Sequence, residues 1–129
     1  MPFVEIFMSE ERPREQRRAL ADAVHQALVE TVNVPLDDRF QAISVHESAE
    51  LIYDPRYLGI ARTSEFVAIR ITLRRGRSVG QKRALYQAIV SKANAAVGIS
   101  GQDVLVVLSE NESADWSFGN GVAQYAVAE

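Results

Sequence analysis

A chain of 129 residues, 47% apolar and 24% charged, can bury one sizeable core and is too ordinary in composition for a fibrous or disordered protein. Its net charge of −3 gives no general attraction to nucleic acid, and the lack of cysteine excludes disulfide and thiol chemistry. His25 and His46, the only histidines, belong to no spaced ligand set, so neither a metal nor a cofactor is expected; no apolar run approaches membrane-spanning length and no leader pattern opens the chain, so a cytoplasmic protein without a membrane partner is expected.

The first element is a strand over residues 2–8. Pro2 opens it, the one strand position where proline costs little. Initiator methionine is usually removed ahead of a small residue, and its loss here would leave Pro2 as a free secondary amine. An ordinary α-amino group titrates near ~7.7–8.0; burial lowers that value and a neighbouring carboxylate raises it. Such an amine is able to serve as acid or base near neutral pH. Residues 9–13 are polar and break the strand, and Pro13 suits the first turn of a helix. From 14 to 32, Ala19, Leu20, Ala23, Val24, Ala27 and Leu28 recur at helical spacing, with Arg17, Arg18, Asp22 and Gln26 opposite.

Residues 39–46 read as a second strand. The stretch 47–64 has weak periodicity and contains Asp54-Pro55 and Gly59, which predicts a connector with room for a short hairpin. Alternation resumes over 65–73, a third strand, followed by the basic turn Arg74-Arg75-Gly76-Arg77-Ser78. A second helix is predicted over 79–97, with Gly98 as its terminator, then a fourth strand over 103–108. Residues 111–129 form a tail carrying Trp116, Phe118 and Tyr125.

The two halves match at a constant offset of 65 residues. Gln16, Arg18, Ala19, Leu20, Ala23, Val32, Asp38 and Ser44 recur as Gln81, Arg83, Ala84, Leu85, Ala88, Val97, Asp103 and Ser109, and Arg12 falls on Arg77. A fixed-offset match marks an internal repeat. Each half is a βαβ unit, with parallel strands and a right-handed crossover. The expected fold is α+β: tandem βαβ units forming a four-stranded mixed sheet with both helices on one face. The expected organisation is one domain over 1–129, with repeats at about 2–46 and 65–110 plus the tail. The uncovered sheet face would be buried by other copies of the chain. The halves also differ. Pro2 falls on Val67, and the arginine turn falls on residues 9–12, where Arg12 alone is cationic. One half offers an amine and the other a guanidinium cluster, which points to a single site assembled from both.

A duplicated βαβ chain that starts Met-Pro resembles the tautomerase superfamily, and within it the malonate semialdehyde decarboxylases. The segments that carry the resemblance are residues 14–20, Val34-Pro35 through Asp38-Arg39-Phe40-Gln41, Arg75-Gly76-Arg77-Ser78, and above all Glu110-Asn111 to Asp115-Trp116-Ser117-Phe118-Gly119. The resemblance implies that Pro2, freed of Met1, is the catalytic amine and that Asp38 assists it. It implies that Arg75 and Arg77 hold the substrate carboxylate, Arg77 being the more constant of the two, while Arg74 adds a third cation. Trp116 and Phe118 would shape the site, and the assembly would be a homotrimer acting on a small oxo acid.

The chemistry of these groups agrees. A 3-oxo acid loses CO2 when its carbonyl can accept the electrons, and a cationic Pro2 supplies that sink by a hydrogen bond or an iminium. Arginine forks bind carboxylate bidentately, and aromatic walls exclude water. Other readings stand beside these: Asp38 as the ion-pair partner of Arg39, the arginine turn as a solvated run, and Trp116 as a core residue. Two other functions stand beside the decarboxylase. One is a keto-enol tautomerase acting on a 2-oxo acid such as phenylpyruvate, with Pro2 as a neutral base. The other is a non-enzymatic trimeric scaffold, if Met1 is retained and Pro2 is blocked.

Overall fold

The computed structural model describes residues 1–126; the end of the predicted tail, 127–129, lies outside them. Six main elements follow in order: β1 (Pro2–Ser9), α1 (Arg14–Val32), β2 (Gln41–His46), β3 (Val67–Arg74), α2 (Val79–Val97) and β4 (Val104–Asn111). They form one four-stranded sheet in the order β2-β1-β3-β4. β1 runs parallel to β2, β3 runs parallel to β4, and the two central strands are antiparallel. The sheet is therefore mixed, as expected.

Alternation decides which face is covered. Val4, Ile6 and Met8 of β1 and Val67, Ile69, Ile71 and Leu73 of β3 are buried in one cluster with Leu20, Val24 and Leu28 of α1 and Leu85, Ile89 and Ala93 of α2. Each such large side chain contributes about 1.5–3 kcal/mol by leaving water. The intervening residues point to the other face. There Phe3, Leu105 and Val107 are exposed, and Glu5 pairs with Arg70 beside Phe7.

The 65-residue offset is visible in the backbone. β1 maps onto β3 and α1 onto α2 without a shift, and both helices end in a left-handed residue, Asn33 and Gly98. Glu5 lies opposite Arg70, its own repeat counterpart, so a pseudo-twofold axis passes between them. The start of each central strand therefore lies beside the end of the other.

Two expectations need correction. No hairpin forms in the connector. Instead it makes two short 3-10 turns, Ser48–Glu50 and Tyr57–Gly59. Its carbonyls are gathered by a side chain rather than by a ladder: Arg62 Nη1 donates to the carbonyls of Asp54 and Tyr57, at 3.1 Å each. β4 also runs on to Asn111, because Ser109, Glu110 and Asn111 find partners in Thr72, Leu73 and Arg74.

Candidate active site

The register of β1 assembles the site. Its antiparallel partner places Pro2 opposite Leu73, beside the end of β3 and the arginine turn. Its parallel partner places the residues just before β2 on the other flank, where Val4 N–H donates to the Phe40 carbonyl at 3.0 Å. The start of the chain is thus held between the segment carrying Asp38 and the segment carrying Arg77.

Pro2 is buried. The ammonium of Met1 lies 3.0 Å from Asp38 Oδ2, with only 8% and 19% of the two side chains exposed. That primary ammonium stands in for the secondary amine that Pro2, one residue along, would present once Met1 is gone. Asp38 does not pair with its neighbour Arg39. Arg39 instead donates to Asp22 Oδ1 at 2.6 Å and to Gln41 Oε1 at 2.8 Å, and Gln41 donates to the Ala21 carbonyl of α1 at 2.9 Å. Arg39 holds the Asp22 carboxyl below its ordinary range, chiefly through that hydrogen bond. The loop before Asp38 is tied to the same helix by buried His25, whose Nε2 lies 2.8 Å from the Leu36 carbonyl. Asp38 is left to face the chain start. Its repeat counterpart Asp103 is structural instead, being buried and accepting both the N–H and the hydroxyl of Thr63, at 2.6 Å each.

The three arginines of the turn diverge. Arg74 and Arg75 are exposed, whereas Arg77 is half-buried. Arg75 Nε donates to Glu112 Oε1 at 2.8 Å, which draws it towards the tail. Arg74 makes only a long 3.5 Å contact with Ser113 Oγ. Arg77 Nη1 donates to the Arg74 carbonyl at 2.9 Å. Loss of hydration, then the nearby charge of Arg74, push the Arg77 guanidinium below its ordinary pKa, while Glu110 and Asp38 act in the opposite sense. Arg77 thus stays cationic at neutral pH, is short of solvent, and lies within the field of Asp38. Gly76, at φ 132°, provides the backbone conformation that redirects the chain between Arg75 and Arg77. Glu110 steadies this turn. Lys82 holds its carboxyl below the ordinary range, with a smaller contribution from a hydrogen bond to the Gly76 backbone.

The tail closes one side. Trp116 Nε1 donates to Asn111 Oδ1 at 2.6 Å, and its ring stacks on Phe118 with centroids 5.5 Å apart. Phe118 in turn packs against Phe40 and, edge-on, against Tyr125. A cavity of about 320 Å³ lies there, lined by Pro35, Asp37, Asp38, Phe40, Phe118, Gln124 and Tyr125. Of the residues singled out in the sequence, Asp38 and Phe118 line this cavity; Pro2, Arg75, Arg77 and Trp116 do not. Phe40 and Tyr125 carry no role in the sequence reading. Phe40 was findable, since residues two apart on an extended segment share a face and Asp38 is such a neighbour.

A family described as tautomerase enzyme matches residues 2–59, and a second of the same description matches residues 38–119. The chain is 43% identical over 124 residues to the probable tautomerase YusQ of Bacillus subtilis (strain 168), covering 96% of this chain and 98% of that protein. The chain belongs to the tautomerase family. This tautomerase-superfamily enzyme also superposes on FG41 malonate semialdehyde decarboxylase inhibited by 3-bromopropiolate, with a TM-score of 0.90 and 41% identity over 95% of this chain and 93% of the other. A fused 4-OT, a wild-type symmetric trimer, shares the fold at a TM-score of 0.79 and 23% identity, over 95% of this chain and 97% of that one. The tautomerase-type sheet thus brings a carboxylate and an amine together at the chain start, across from a partly desolvated guanidinium.

Proposed function

We propose that this tautomerase-family enzyme uses the amine of Pro2 to decarboxylate malonate semialdehyde or a similar short 3-oxo acid. The observation that carries the reading is the Asp38 carboxylate at the chain's amine, within the field of Arg77. In the processed chain Asp38 favours the cationic form of Pro2. Arg77 binds the substrate carboxylate, with Arg75 as helper once it leaves Glu112. The Arg77 fork holds the breaking C–C bond out of the carbonyl plane. As that bond breaks, its electron pair moves into the carbonyl, and the Pro2 ammonium stabilises the developing oxyanion by a hydrogen bond. CO2 departs, and the resulting enol takes a proton at carbon to give the aldehyde. Phe118, backed by Trp116, limits water and favours neutral CO2 over the carboxylate. Similarity to FG41 malonate semialdehyde decarboxylase supports this choice of substrate.

The second reading is a keto-enol tautomerase of a 2-oxo acid such as phenylpyruvate, favoured by the name of the relative YusQ. It needs Pro2 as a neutral base, and a carboxylate beside the amine works against that form. In either case the assembly is a homotrimer, with Phe3, Leu105 and Val107 of the open sheet face covered by other copies. The test pairs intact mass, to establish whether Met1 is lost, with a panel of short oxo acids followed by NMR. Decarboxylation of malonate semialdehyde by the Met1-free protein is the expected result. Rapid enol exchange of phenylpyruvate without any CO2 release would favour the tautomerase. A chain that keeps Met1 and is inert towards every acid would leave the scaffold.

A further inference from the structure

Arg12 is the repeat counterpart of Arg77, and it follows β1 as Arg77 follows β3. Its side chain is only 6% exposed. Nη2 donates to Glu65 Oε2 at 2.7 Å and to the Glu65 carbonyl at 3.1 Å, while Nη1 donates to Gln16 Oε1 at 3.3 Å. Nε is buried and has no hydrogen-bond partner among the described residues. A buried cation with an unused donor is costly unless something compensates it. Around it lies a pocket of about 220 Å³, whose wall includes Ser9, Glu11, Gln16, Ser64 and Glu65. Glu65 enters from the solvent side, with 62% of its side chain exposed. Gln16 has also been diverted. Its counterpart Gln81 closes a capping box with Ser78 at the start of α2, whereas Pro13, at the N-cap of α1, offers no side-chain cap and Gln16 turns to Arg12.

We propose that the pocket around Arg12 is a second carboxylate-binding site, occupied in cis by Glu65 and open to a short-chain carboxylate when Glu65 withdraws. The parallel with Arg77 rests on the function proposed above; the buried guanidinium, its unused donor and its carboxylate occupant do not. The site binds without turnover. Val67 stands where the other half has Pro2, and Asp103 is already committed to Thr63. Its ligand class is a small monocarboxylate, because one face of one guanidinium is offered and Gln16 supplies the neighbouring polar group.

The test removes both the resident carboxylate and the Arg77 site. In Glu65→Ala/Arg77→Ala, ~100 mM acetate should raise the unfolding midpoint by about 2–5 °C more than chloride at equal ionic strength. Arg77→Ala alone, with Glu65 in place, should not distinguish the two salts, and adding Arg12→Met to the double variant should abolish the difference. If Glu65→Ala folds poorly, Glu65→Gln in the same background is followed by the Arg12 Nε–H resonance, which should shift saturably with acetate. Equal responses to acetate and chloride in these variants would overturn the proposal. Because Arg77 is absent throughout, that result would leave its role in the active site untouched.

Discussion

Arg74, Arg75 and Arg77 share a charge and a five-residue turn, yet their surroundings set them apart. Arg75 is engaged by Glu112, Arg74 reaches only Ser113, and Arg77 alone is partly stripped of water. A guanidinium short of solvent gains most from a bound carboxylate, on the order of 2–4 kcal/mol in a dry site. Arg77→Ala should therefore lower kcat/KM by about 30-fold to 1,000-fold, Arg75→Ala by less, and Arg74→Ala only slightly. Steady-state kinetics of all three on one substrate, with circular dichroism as the folding control, checks the order; a dead Arg74→Ala beside an active Arg77→Ala would reverse it. Asp38, Arg77 and Phe118 were legible as candidates because they sit in segments that carry the family resemblance. The pairing of Arg39 with Asp22 was not, since it crosses 17 residues and leaves no local period to read. Tyr125 escaped for the same reason: it meets Phe40 only across Phe118.

At the scale of elements, two supports hold the site segments in place. Gly76 lets the turn after β3 reverse at φ 132°, a conformation that costs an L side chain about 1–3 kcal/mol. Gly76→Ala should lower the unfolding midpoint and, by shifting Arg77, raise KM more than it lowers kcat; unchanged kinetics would show that the turn does not set the guanidinium's position. The second support is Asp22 of α1, which anchors Arg39 next to Asp38. Its folded-state pKa lies below the ordinary 3.8, so its contribution is complete above that value and is lost as pH falls through the lower folded value. Asp22 is largely exposed, so Asp22→Asn should cost only about 1–3 °C near pH 6, and the gap from wild type should close as both are acidified through the lowered folded value. A gap that widens on acidification would contradict the assignment. The helices at 14–32 and 79–97 were readable to the residue because apolar spacing and the terminators Asn33 and Gly98 agree. The connector was not, because its second turn is held by Arg62 reaching back to carbonyls up to eight residues away.

For the whole molecule, the repeat explains both the sheet and the asymmetry of its sites. A pseudo-twofold through Glu5 and Arg70 places the start of β1 beside the turn of the second half, and the start of β3 beside Arg12. The first junction carries the proposed Pro2 amine; the second is filled by Thr63 and Glu65. Helices on one face leave Phe3, Leu105 and Val107 bare on the other, and light scattering at micromolar concentration should report a trimer. A monomer there would remove the proposed cover for that face. The account turns on the amine at the start of the chain, and NMR of malonate semialdehyde with Met1-free wild type and Met1-free Pro2→Ala addresses it directly. The wild type should release CO2, and the variant, folded by circular dichroism, should lose at least about 100-fold in kcat/KM. A folded Pro2→Ala protein with unchanged kcat/KM would contradict the account.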